Sequence, residues 1–175
     1  NSTFVAVGDV GKILRSTDNG ANWSHVTTGY ASNYGNNYKA SLNGINNLRG
    51  VSFGNNTFVA VGYSGKIITS TDDGSSWDNE TAVNSNNLYG VTFGNSTFVA
   101  VGSNGTIVKS TNNGASWSSS SSGTSETLFG VTFGNNTFMA VGNSGTIVKS
   151  TDNGANWSSS SSGTTNNLYG VAFGD

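Results

Sequence analysis

The chain has 175 residues, enough for one domain at the usual size of about 100 to 200 residues, and it contains no cysteine, which excludes disulfides, thiolate metal sites and a cysteine nucleophile. Only 9% of residues are charged and the net charge is −2, so no basic stripe exists to neutralise a run of phosphates and nucleic acid is not an expected partner. No apolar run nears the ~18 residues of a membrane span, and Gly, Asn, Ser and Thr replace the Lys and Glu of helical proteins, which predicts an all-β, secreted or cell-surface protein.

In chain order, the opening Asn1 has no charged n-region or apolar h-region behind it, which reads as a mature or excised segment. Thr3–Gly8 reads as a strand, and Ser16, Asp18, Gly20 and Trp23 form a turn of the pattern SxDxGxxW. The next stretch, GYASNYGNNYKASLNG, holds an insertion over 30–44 with Tyr30, Tyr34 and Tyr38 four residues apart. The same box returns at Ser70 to Trp77 with Asp72, at Ser110 to Trp117 with Asn112 for Asp, and at Ser150 to Trp157 with Asp152. The steps between boxes are 54, 40 and 40 residues, and a period near 40 built of short strands is that of a propeller blade. The third unit shows four strands: Leu88–Phe93, Thr97–Gly102, Thr106–Ser110, and one beginning near Ala115 and running through Trp117. Within it Phe98, Val99, Ala100 and Val101 are apolar on both faces, which requires a sheet covered on both sides, as stacked blades provide.

The chain closes on Leu168–Phe173, a first strand without its second, whereas it opens on a second strand without its first. The fold expected is therefore a single domain over 1–175. It is a four-bladed β-propeller of four-stranded antiparallel blades, with one blade split between 1–23 and 168–175 and the ring closed by pairing of the terminal strands. A monomer follows from that register, with two chains forming an eight-bladed ring as the alternative.

The box itself reads as a hairpin turn: the carboxylate accepts backbone N–H groups, glycine takes a positive φ, and tryptophan covers the hairpin base. A calcium site is the rival reading, and Asn112 argues against it because it keeps the turn bonds and lacks the charge; no metal and no cofactor are expected. The run VGxxGxIxxSTDxGxxW resembles the Asp-box (BNR-type) repeat of sialidases, of xyloglucan-degrading glycoside hydrolases and of photosystem II assembly factors of the Ycf48 type, over nearly the whole chain. That resemblance implies a propeller whose boxes are structural and lie away from any active site. Sialidases of this kind bind the substrate carboxylate with three arginines, and this chain has only Arg15 and Arg49.

No catalytic residues are assigned. Outside the boxes the acids are Asp9, Asp73, Asp78, Glu80, Glu126 and Asp175, of which Asp78 and Glu80 alternate on one segment read as a solvated linker. His25 is the sole histidine. Comparison among the four units points elsewhere: the box face is uniform, and the opposite face varies. There the second-to-third-strand loops begin with Asp9, Tyr63, Ser103 and Asn143, and the first strands carry Arg49, Tyr89, Phe129 and Tyr169 near the ring's mouth. Tyrosines beside Asp and Arg suit a sugar, which stacks its apolar face on rings and offers hydroxyls to polar groups. The expected function is a non-catalytic extracellular glycan-binding or adhesive module using Tyr30, Tyr34, Tyr38, Arg49, Asp9, Tyr63 and Tyr89. The partner would be a glycan or a protein at the cell surface. The alternatives are a protein-interaction repeat of a larger surface protein and a glycoside hydrolase fragment.

Overall fold

Short runs of β-branched and aromatic residues between Asn-Gly and Gly-rich turns cannot sustain helix, and they form fifteen strands in the computed structural model, which describes residues 2–26, 47–81 and 83–174. Four antiparallel sheets follow one another along the chain. The first contains β1 (Phe4–Val7), β2 (Ile13–Ser16) and β3 (Ser24–His25). The second contains β4 (Leu48–Gly54), β5 (Thr57–Gly62), β6 (Ile67–Ser70) and β7 (Asp78–Asn79). The third is β8 (Leu88–Gly94), β9 (Thr97–Gly102), β10 (Ile107–Ser110) and β11 (Ser118–Ser120). The fourth is β12 (Leu128–Gly134), β13 (Thr137–Gly142), β14 (Ile147–Ser150) and β15 (Ser158–Ser160). Each is a meander in which every strand pairs with its neighbour in sequence, the arrangement of a propeller blade.

The sheets stack face to face, and the second strand of each blade supplies both faces of the stack. Phe58 and Ala60 of β5 join Ile13, Leu48 and Trp77 in the layer between the first and second sheets. Val59 and Val61 of the same strand point the other way, into the layer with Leu88, Phe98 and Val108. Val99 and Val101 of β9 repeat the pattern with Leu128, Phe138 and Val148. Burial of these alternating side chains, each worth ~1.5–3 kcal/mol, holds the array together without a disulfide.

The first strands are packed closest to one another. Gly50 of β4 lies against the backbone of Tyr89 and Gly90, and Gly90 in turn against Phe129. At the far end of each strand a glycine accepts the ring of the next blade: a Cβ on Gly54 would fall on Phe93, and one on Gly94 on Phe133. Glycine is required there because the neighbouring blade occupies the space of a side chain.

Two boundaries differ from the sequence reading. The fourth strand of the third unit begins at Ser118, after Trp117 instead of at Ala115, because residues 111–117 are spent on the turn that brings the tryptophan back over it. Asp78 belongs to β7 on the outer side of its sheet and not to a linker, paired opposite Thr69. Among the described pairings β1 has β2 alone as partner, and residues 168–174 carry no strand; Leu168 N–H donates to the Gly142 carbonyl at 2.9 Å.

Candidate functional site

Two faces of the array carry the non-core residues. On one lie the four boxes. In the second sheet Ser70 Oγ accepts the Gly74 N–H at 2.9 Å and donates to Asp72 Oδ1 at 2.8 Å, while Asp72 accepts the Ser76 N–H at 2.9 Å and the Ser76 hydroxyl at 2.6 Å. Trp77 Nε1 donates to the Gly74 carbonyl, locking the indole over the turn. Ser16, Asp18, Gly20 and Trp23 make the same set, as do Ser150, Asp152 and Trp157. Asn112 substitutes for aspartate by accepting from the Ser116 N–H and the Ser110 hydroxyl, and Trp117 closes its turn in the same way. Gly20 and Gly74 take φ of 84° and 79°, where a side chain would be strained. These bonds to the charged form hold the carboxyls of Asp18, Asp72 and Asp152 at about 2, below the usual 3.8; in Asp72 the Ser76 hydroxyl leads, and in the other two the backbone N–H of Asn22 or Asn156. The boxes are thus closed by hydrogen bonds within the turn.

The opposite face is built by a bulge repeated in each complete blade. Pairing steps from Leu48↔Gly62 to Gly50↔Val61, so Arg49 is the extra residue, and Tyr89 and Phe129 are extra in the same way between Leu88 and Gly90 and between Leu128 and Gly130. A bulge re-aims its side chain out of the sheet. The result is a row of rings along the inner rim: Tyr63 to Tyr89 at 6.2 Å and edge-on, Tyr89 to Phe129 at 5.6 Å, and Phe129 to Tyr169 at 5.1 Å. Arg49 heads the row. Its guanidinium lies 4.5 Å from the Tyr63 ring centroid, donates to the Tyr63 hydroxyl at 2.7 Å and reaches Asp9 Oδ1 at 3.4 Å. Ser103 Oγ donates to the Tyr89 hydroxyl at 3.2 Å.

The loops that carry Asp9, Tyr63 and Ser103, and the equivalent loop of the fourth sheet, are tight hairpin turns at Asp9–Gly11, Tyr63–Gly65, Ser103–Gly105 and Asn143–Gly145, with the middle residue and the glycine both at positive φ. Asparagines preceding the first strands brace three of them: Asn47, Asn87 and Asn167 accept the N–H of Val10, Ser64 and Ser144 at 2.8 to 3.0 Å. In each of the last two sheets an open groove, of about 480 and 630 Å³, lies between the second-to-third-strand turn and the segment that leaves the fourth strand, lined by Ser, Thr and Gly with Asn104 in the first.

The structure thus brings together Asp9, Arg49, Tyr63 and Tyr89 of the expected set. Tyr30, Tyr34 and Tyr38, with the 30–44 insertion, lie outside the described residues. Phe129 and Tyr169 complete the row, and Tyr169 is its most accessible member at 68% exposure. Their position after the leucine of each first strand is the signal that marks them. The bracing asparagines were not anticipated; the Asn-Leu pairs at 47–48, 87–88 and 167–168 are their trace in the sequence. Glu80 accepts the Thr69 hydroxyl at 2.8 Å, which ties it to the outer part of the sheet with Asp78, remote in register from the aromatic row. Among the described residues no three of His, Asp and Glu gather in one place.

No family model matches the chain, and no curated protein matches its sequence. Solved structures do. A Ycf48 bound to a D1 peptide is 18% identical over 95% of this chain and 52% of that one, with a TM-score of 0.67. An ancestral GH74 enzyme is 21% identical over 89% of this chain and 22% of that one, with a TM-score of 0.63. The WD40 propeller domain of Doa1 is 13% identical over 90% and 50%, with a TM-score of 0.59. The chain spans about half the length of the Ycf48 and WD40 chains, and at these identities the likeness is one of fold: the protein is a β-propeller.

Proposed function

We propose that this protein is a non-catalytic binding module, at a cell surface or secreted, that takes a glycan along the rim row of Tyr63, Tyr89, Phe129 and Tyr169, with Arg49 and Asp9 at its head. One observation carries the reading: an unbroken succession of aromatic rings, spaced 5.1 to 6.2 Å, ends in an arginine whose donors are turned toward a carboxylate and a phenol. Sugar rings stack on such faces, and the Arg49–Asp9 pair offers donor and acceptor to adjacent hydroxyls. The boxes are assigned to the Asp-box repeat on their Ser, Asp, Gly and Trp hydrogen bonds. A peptide ligand is the second reading, favoured by the peptide held by one structural neighbour of the same fold.

A glycan array followed by calorimetric titration of the best hit tests this. Tyr169→Ala and Arg49→Ala should each weaken binding about tenfold or more, the equivalent of ~1.4 kcal/mol. Absence of any glycan binding, or affinity untouched by both changes, refutes the glycan reading; binding of array peptides lost in the same variants would establish the second.

A further inference from the structure

Asn87 stands between two turns and is fixed by both. Its carbonyl accepts the N–H of Ser103, in the turn of its own sheet, at 2.9 Å, and its Oδ1 accepts the N–H of Ser64, in the turn of the preceding sheet, at 3.0 Å. A backbone N–H can only donate, so the Ser64 bond settles which end of the amide is which: the oxygen faces Ser64 and the nitrogen faces Tyr89. Nδ2 lies 3.4 Å from the Tyr89 hydroxyl, and an amide nitrogen can only donate to it. The arrangement recurs where Asn167 accepts the Ser144 N–H and turns its Nδ2 to the Tyr169 hydroxyl at 3.5 Å. The unit whose rim ring has no hydroxyl, Phe129, has Thr127 in place of the asparagine.

A count of protons then singles out Tyr89. Its hydroxyl and that of Ser103, 3.2 Å apart, hold one proton each. One of these lies in the bond that joins the two oxygens, in whichever direction that bond runs, and the Asn87 amide, which donates to the pair, cannot take the other. Among the described residues no further acceptor reaches either oxygen. Both side chains are half-buried in the rim row, with the Tyr89 ring between those of Tyr63 and Phe129. The pair therefore keeps one hydroxyl proton that the protein does not use, and Asn87 is what denies it an inward partner.

We propose that the Tyr89–Ser103 pair is a hydrogen-bond donor of the rim, turned outward by Asn87, and that the bound glycan sets an acceptor oxygen against it. The proposal deepens the glycan reading and rests on it. Arg49, which also can only donate, stands in the same row, so two of the row's polar contacts select the sugar by its acceptor oxygens, while Asp9 takes a hydroxyl proton at the head. A sugar lacking the oxygen leaves a half-buried donor unpaired and is rejected. Asn87 touches no ligand in this scheme and acts as a positioning residue.

Asn87→Asp tests the scheme without dismantling the turn. Aspartate keeps an oxygen for the Ser64 N–H and puts a second one where Nδ2 was, so the Tyr89 proton turns inward to the carboxylate. The tyrosine Fermi doublet in ultraviolet resonance Raman spectra, taken as a difference against Tyr89→Phe and with no sugar present, should move toward that of a phenol donating to a carboxylate. The melting temperature should stay within about 2 °C of wild type, whereas Asn87→Ala, which deletes brace and donor together, should lower it further. On the glycan array, Asn87→Asp and the double variant Tyr89→Phe/Ser103→Ala should each weaken the strongest wild-type signal about tenfold or more. Adding Asn87→Asp to that double variant should weaken it no further, because the proton it redirects is already gone. A doublet unmoved by Asn87→Asp, or array binding indifferent to Asn87→Asp and to loss of both hydroxyls, overturns the proposal and leaves the aromatic rim standing. An array on which the wild type binds nothing overturns the glycan reading and the sugar's part in this scheme with it, and the doublet then decides whether Asn87 sets the proton.

Discussion

Removing the hydroxyl of Ser70 should cost more than removing the charge of Asp72, although the aspartate is the residue that gives the box its acidic character. Ser70 is 2% exposed and its Oγ is the acceptor for the Gly74 N–H at 2.9 Å. Ser70→Ala leaves that buried N–H without a partner, at ~1–3 kcal/mol, and takes a donor from Asp72 at the same time. We expect about 2 kcal/mol. Asp72→Asn keeps an oxygen in place to accept from Ser70 and Ser76, as Asn112 does at 2.9 and 3.0 Å in the third unit, and should cost under ~1 kcal/mol. Urea unfolding followed by tryptophan fluorescence at pH 7 measures both. The double variant Ser70→Ala/Asp72→Ala should cost less than the sum of its parts, because either change deletes the same 2.8 Å bond. The pH dependence supplies an independent check. The folded carboxyl titrates at about 2 and the unfolded one at 3.8, so the unfolded state binds more protons between them. The contribution is complete above about pH 4 and is lost as pH falls toward about 2, and Asp72→Asn should flatten that part of the profile. Ser70→Ala within ~0.5 kcal/mol of wild type, or Asp72→Asn costing as much as Ser70→Ala, would refute the assignment of the serine as the keystone of the turn.

Val10 stands at φ 58°, a left-handed conformation poorly suited to a β-branched residue, where the third unit has Asn104 at φ 54°. Val10→Asn should stabilise the protein by ~1 kcal/mol and raise the melting temperature by about 2–4 °C, with no change or a decrease counting against strain at that site. Gly94→Ala would set a methyl group into the Phe133 ring and force the third and fourth blades apart, at ~1–3 kcal/mol of overpacking. A melting temperature within 1 °C of wild type would show that the blades are not in contact there.

Much of the fold was legible because each unit repeats the same local physics. Phe98 to Val101, apolar on both faces, announced a doubly covered sheet, and the structure divides them between two core layers as that pattern demands. The box was legible as a turn because its bonds span at most four residues, so Asp72 and Ser76 find each other whatever the rest of the chain does. The start of β11 was misjudged because Trp117 looks like a strand residue in sequence, whereas the turn needs its indole for the Gly114 carbonyl.

The candidate site was half visible. Arg49, Tyr89, Phe129 and Tyr169 stand out as a column once the units are aligned, yet nothing local says that a bulge turns them onto the rim or that Tyr63 bridges two of them from the neighbouring loop. The sequence by itself determined the blade, its turns and its covered strands, since these depend on residues a few positions apart. How one blade packs on the next was decided only by tertiary structure. That packing comes from side chains meeting across a stack, as the Phe93 ring does over Gly54 and the Phe133 ring over Gly94, and residues some forty positions apart in sequence do not announce it.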